Sequence, residues 1–114
     1  MAHRGRIVVI DDEVNAASAL ETLLSEDGYE VSKANDGRAG LELIELNQPD
    51  VVLTDLRMPE VDGIQLLQRV KQTRPECLVI VMTAYGTVKT AVKAMKLGAE
   101  DYVSKPIDMD ELEV

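Results

Sequence analysis

The sequence predicts one α/β domain, a five-stranded parallel sheet with helices on both faces, and two patterns in its 114 residues carry the prediction. Short apolar runs rich in valine and isoleucine, without polar alternation, suit strands buried on both sides. Between them lie stretches whose apolar residues recur three and four apart, the spacing of a helix with one buried stripe. Strand and helix alternate five times, which implies a parallel sheet wrapped on both faces.

The first strand is the run Ile7 to Ile10, and the first helix, starting near Val14, carries Ala17, Leu20 and Leu24. A weaker strand spans Glu30 to Ala34, followed by a helix whose stripe is read as Ala39, Leu43 and Leu46. The third strand, Val51 to Leu53, leads to Asp55, and Ile64, Leu66, Leu67 and Val70 mark the third helix. Leu78 to Met82 form the fourth strand. The fourth helix is expected over about Thr87 to Leu97, with Val88, Ala91, Val92 and Met95 on one face, Lys89, Lys93 and Lys96 on the other, and Gly98 as its stop. Asp101 to Val103 give a short fifth strand. Asp108 and Glu111 have capping-box spacing, so a last helix begins near Asp108 and is cut short at Val114. The expectation is a domain over residues 1–114 excised from a longer, multidomain polypeptide.

A hydrophobic content of 46% suffices for one modest core. Acidic residues outnumber basic ones 21 to 12, giving a net charge of −9 that opposes direct binding to nucleic acid or anionic membranes and favours small cations and basic partner surfaces. The single cysteine, Cys77, cannot form an internal disulfide and reads as a small buried hydrophobe, which fits a reducing cytoplasm. The run Ile7 to Ile10 is too short for a signal peptide or membrane span, so a soluble cytoplasmic domain is expected.

Open parallel sheets bind ligands beyond the carboxyl ends of their strands, and the polar residues collect there. Asp11, Asp12 and Glu13 follow the first strand, Asp55 ends the third, Thr83 ends the fourth and Lys105 follows the fifth. With a flavodoxin-like strand order, 2-1-3-4-5, the first and third strands are neighbours and Asp11, Asp12 and Asp55 come together. Such carboxylates must protonate, recruit Lys105 or hold a cation, and oxygen ligands with open water positions suit Mg2+. Taken alone, Asp11 and Asp12 also read as caps for the helix near Val14. Asp55 does not, because Leu56, Arg57, Met58 and Pro59 follow it and no helix starts there. A carboxylate can act as a nucleophile towards phosphorus, with Lys105 and the Thr83 hydroxyl meeting phosphoryl oxygens. Singly, Thr83 reads as a strand-end residue, Lys105 as a solvated loop lysine and Tyr102 as a half-buried aromatic with a wet hydroxyl.

The stretches Ile7 to Glu13, Asp50 to Pro59 with Asp62-Gly63, Met82-Thr83-Ala84 and Lys105-Pro106 together resemble the receiver domains of bacterial two-component response regulators, across essentially the whole chain. The resemblance implies two-component phosphorelay signalling in which Asp55 accepts a phosphoryl group. Mg2+ would be held directly by Asp12, Asp55 and the Arg57 backbone carbonyl, and through water by Asp11. It further implies that Lys105 contacts the phosphoryl group, that a cis peptide precedes Pro106, and that Thr83 and Tyr102 form a conformational switch. By the same resemblance, Tyr85 and Arg57 would occupy positions that tune phosphate lifetime in that family, whereas His3 reads as an exposed tail residue. The implied partners are a sensor histidine kinase or phosphotransfer protein, an output domain beyond Val114 and a second copy in a homodimer. The segment from Met82 to Asp108 is similar to receivers that precede nitrogen-regulation transcriptional activators, which implies transcription regulation as the output.

Two other classes share part of this pattern. A haloacid-dehalogenase-like, Mg2+-dependent phosphatase also uses an aspartate nucleophile, but requires a second acid two residues on, where Arg57 stands. A stand-alone interaction module would need no intact acidic site. Flavin binding is opposed by the acidic loop Asp11-Asp12-Glu13, and no P-loop pattern is present.

Overall fold

Each apolar run is a strand, and each strand extends past its run to take in a polar residue. In the computed structural model, which describes residues 4–84 and 87–105, these are β1 (Arg6–Ile10), β3 (Val51–Asp55) and β4 (Leu78–Thr83). The weaker strands are β2 (Glu30–Ala34) and β5 (Asp101–Ser104). The helices between them are α1 (Val14–Glu26), α2 (Gly37–Asn47), α3 (Gly63–Thr73) and α4 (Val88–Lys96). All pairings are parallel and the order is β2-β1-β3-β4-β5, so the chain belongs to the doubly wound, flavodoxin-like class its alternation predicts.

The pleat divides the central strands between two core layers. Val8, Ile10, Val52, Val79 and Val81 face one side, packing with Ile44 of α2, Leu66, Leu67 and Val70 of α3 and Ala94 of α4. Ile7, Val9, Leu53, Ile80 and Met82 face the other, where Ala17, Leu20 and Leu24 of α1 cover them. Burying one such side chain stabilises the fold by about 1.5–3 kcal/mol, and truncating a fully buried one such as Leu66 costs about 2–5 kcal/mol because it also leaves a cavity. Cys77 is buried, and burial pushes its thiol up to about 11, far from nucleophilic at neutral pH. No helix among the described residues is long and apolar enough to cross a membrane.

Two of the expected helix stripes are displaced. In α2 the buried residues are Gly37, Gly40 and Ile44, whereas Ala39 and Leu43 are half-buried and Leu46 is exposed. A Cβ on Gly40 would lie 2.4 Å from Ile10 Cδ1, so the helix lies too close to the sheet for any larger residue at that contact. In α4 Ala94 is fully buried and Ala91 half-buried, while Val88, Val92 and Met95 stand exposed beside Lys89, Lys93 and Lys96. That helix leans on the sheet through Thr90, Ala94 and Leu97, its smaller and more polar face. The final helix near Asp108, Pro106, Tyr85 and His3 lie outside the described residues.

Candidate functional site

Parallel strands direct their carboxyl ends one way, so the residues ending β1, β3, β4 and β5 share an edge. Asp11 follows β1, donates its backbone N–H to the Ala34 carbonyl at 3.1 Å and is fully buried. Its carboxylate is held on both oxygens: Oδ1 accepts the Glu13 N–H at 2.9 Å and Oδ2 accepts from Lys105 Nζ at 2.5 Å. The capping explanation is therefore only partly right. Glu13, at the helix N-cap, makes no side-chain cap, and Asp11 satisfies one backbone donor while its other oxygen faces into the site.

Asp55 ends β3 with 8% exposure, and its Oδ2 accepts from the same Lys105 Nζ at 3.3 Å. Lys105 is aimed inward from the end of β5, its backbone N–H bonded to the Thr83 carbonyl at 2.9 Å. Asp12 is exposed at the rim. Each of Asp11, Asp12 and Asp55 offers a carboxylate oxygen within 4.8 Å of the others. Three carboxylates against one ammonium leave excess negative charge at a partly buried edge, and an all-oxygen donor set of this kind fits a hard divalent cation.

The titration of the two central groups reflects this crowding. Burial is the largest influence on the Asp55 carboxyl and raises it above 3.8; the charge of Lys105, next in effect, pulls it down, and the charges of Asp11 and Asp12 help burial prevail. For Lys105, burial is the largest single influence and acts downward, but the hydrogen bond and charge of Asp11, with those of Asp55, outweigh it and raise the ammonium above 10.5. Lys105 therefore stays a cation at neutral pH.

Thr83 is buried at the end of β4, in register with Ser104 of β5. Tyr102 lies on β5, half-buried, and its hydroxyl has a protein partner: it is 2.7 Å from the Thr90 hydroxyl in the first turn of α4. Arg57 is exposed two residues beyond Asp55. The structure thus brings Asp11, Asp12, Asp55 and Lys105 into one cluster and places Thr83 and Tyr102 on the adjoining strands.

Three residues that frame the site escape the sequence reading. Asn35 donates its side-chain amide to the Asp11 carbonyl at 3.1 Å, the fully buried Thr54 hydroxyl donates to the Asp55 carbonyl at 3.1 Å, and Thr90 holds Tyr102. Asn35 was accessible by the rule that polar residues just past a strand's carboxyl end point to the ligand edge, since it directly follows β2. Thr54 and Thr90 carry no comparable signal.

Comparison with known proteins gives a consistent result. The response regulator receiver domain family matches residues 7–114. The regulatory protein AtoC of Escherichia coli strain K12 is 49% identical over 107 residues, covering 94% of this chain and 23% of that protein. The DNA-binding transcriptional regulator NtrC of the same strain is 41% identical over 108 residues, covering 95% of this chain and 23% of its own length. The crystal structure of a response regulator receiver domain protein from Clostridium thermocellum superposes with a TM-score of 0.89 at 38% identity, covering 94% of this chain and 86% of that one. The chain thus spans about a quarter of the length of these two curated relatives.

Proposed function

The chain belongs to the response regulator receiver domain family, and from that premise we propose that it accepts a phosphoryl group on Asp55 and passes the signal on as a change of conformation. The observation that carries this reading is the shared Lys105 ammonium, 2.5 Å from Asp11 and 3.3 Å from Asp55 at the carboxyl edge of the sheet. It supports Asp55 as the acceptor, because a phosphoryl group arriving there would meet positive charge.

An Asp55 carboxylate oxygen attacks phosphorus, and the new O–P bond forms as the bond from phosphorus to the donor breaks, the imidazole nitrogen of a phosphohistidine or the carboxyl oxygen of acetyl phosphate departing with that electron pair. Lys105, held cationic by its two carboxylates, balances charge on one phosphoryl oxygen. The Thr83 hydroxyl, at the end of the neighbouring strand, serves another. Mg2+ held by Asp11, Asp12, Asp55 and the Arg57 carbonyl would neutralise the remaining charge of donor and carboxylates. Drawing Thr83 towards the phosphoryl group lets Tyr102 leave Thr90 and turn inward, which alters the surface of α4 and β5.

The donor is a sensor histidine kinase or phosphotransfer protein, and the chain works within a longer protein whose output domain regulates transcription, as in the regulators it resembles. Incubation with acetyl phosphate and Mg2+ tests the reading. The expected product is one acid-stable, base-labile adduct on the Asp55 peptide, absent in Asp55→Asn. Continuous turnover without adduct would identify a phosphatase, and neither adduct nor turnover an inert module.

A further inference from the structure

Asp55 is followed by the loop 56–62 before α3 begins, and that loop is constrained at its centre and at both ends. At its centre the Val61 N–H bonds to the Pro59 carbonyl at 2.8 Å around Glu60, whose φ is 65°. A three-residue turn of that hand is rare and strained for a residue with a side chain.

The ends are held by glycines for reasons of space. A Cβ on Gly63, the first residue of α3, would stand 2.4 Å from the Asp55 carbonyl oxygen and 2.9 Å from Leu56 Cα. A Cβ on Gly37, the first residue of α2, would stand 2.4 Å from the Val61 carbonyl oxygen. Each obstacle includes backbone, which cannot swing aside as the end of a flexible side chain can. Gly63 also donates its N–H to the Leu56 carbonyl at 2.8 Å, so α3 grips the residue next to Asp55 directly. The first turns of two helices close on one loop because neither carries a side chain at the point of contact.

We propose that Gly63 and Gly37 are positioning residues for the phosphoacceptor, clamping the 56–62 backbone so that the Asp55 carboxylate and the Arg57 carbonyl are set in place before cation or phosphoryl group arrives. This rests on the function proposed above. A methyl group at position 63 forces the Asp55 carbonyl away by about 1 Å to reach ordinary contact, and the carboxylate on the same residue moves relative to Asp11 and Asp12. A methyl group at position 37 acts one step removed, through Val61 and the strained turn.

The test compares wild type, Gly63→Ala, Gly37→Ala and Gly28→Ala in three measurements: Mg2+ affinity by calorimetric titration, Asp55 labelling rate with acetyl phosphate, and urea unfolding. Gly28, at φ 95° in the α1–β2 turn on the opposite edge of the sheet, supplies a destabilised control remote from the loop. Gly63→Ala is expected to weaken Mg2+ binding by about 10–100-fold and to slow labelling by about 100-fold. Gly37→Ala should show smaller losses of both, and Gly28→Ala should lose stability with both unchanged. A folded Gly63→Ala with wild-type affinity and labelling rate overturns the clamp. If that variant does not fold, wild-type values in Gly37→Ala overturn it instead. A wild type that neither binds Mg2+ nor labels would remove the functional reading and the clamp with it, whereas normal wild-type behaviour with indifferent alanine variants removes the clamp alone.

Discussion

Lys105 holds together two carboxylates that would otherwise repel. Replacing it with Met leaves the Glu13 N–H as the remaining side-chain partner of the fully buried Asp11 carboxylate among the described residues, and unfolding measurements should show a loss of about 1–3 kcal/mol. Mg2+ at the proposed site would supply the missing positive charge, so it should raise the melting temperature of Lys105→Met more than that of wild type; equal shifts would place the cation away from these carboxylates. Asp55 has the opposite bearing on stability. Its folded pKa is raised above 3.8, so ionisation is disfavoured in the fold and stability is lost as pH rises from 3.8 through the folded value. Without metal, Asp55→Asn should therefore be more stable than wild type at neutral pH, with the gap closing on acidification. A gap that widens as pH falls would mean that Asp55 is stabilised as an anion. Lys105 contributes in another window, with full effect below 10.5 and loss above it. These residues were legible in the sequence because each stands within two residues of the carboxyl end of an expected strand. Thr54 was not, since a buried threonine bonded to its neighbour's carbonyl looks like any other strand residue.

The helices follow the sequence in place but not always in orientation. Helix α4 starts and stops where its capping residues say: Thr87 and Thr90 form a reciprocal capping box, and Gly98 lies just past its end at φ 103°. Its apolar stripe nevertheless faces outward, because the contact with the sheet is made by Ala94 and by the hydroxyl pair Thr90–Tyr102. Period alone ranks residues by hydrophobicity, whereas close packing selects small ones, as Gly40 also does in α2. Thr90 thus serves two roles, capping α4 and holding Tyr102. Thr90→Ala removes the N3 side chain that accepts the Thr87 N–H as well as the partner of Tyr102, and should cost about 1 kcal/mol or more; Tyr102→Phe should cost about 0.5–1.5 kcal/mol through the lost hydrogen bond. A double-mutant cycle should return a favourable coupling, because the two hydroxyls share one bond; strict additivity would mean that the pair contributes nothing to the resting state.

For the whole molecule, strand order and site are one fact. The order β2-β1-β3-β4-β5 makes β1 and β3 neighbours, and that adjacency alone brings chain positions 11, 12 and 55 together and lets Lys105 reach across from β5. Alternating apolar runs revealed the layers, and the acids at the strand ends revealed the edge. What the sequence left unreadable was close contact between backbones, such as Gly63 on Asp55. Three carboxylates already crowd the acceptor against one ammonium, and an incoming phosphoryl group brings further negative charge, so the proposed reaction requires a cation there. The most direct measurement is the intact mass of the wild-type chain after acetyl phosphate treatment, with Mg2+ and with Mg2+ plus excess chelator. The mass of one added phosphoryl group is expected with Mg2+ and none with chelator. Equal labelling in the two samples, or none in either, would contradict a cation-dependent phosphoacceptor at Asp55.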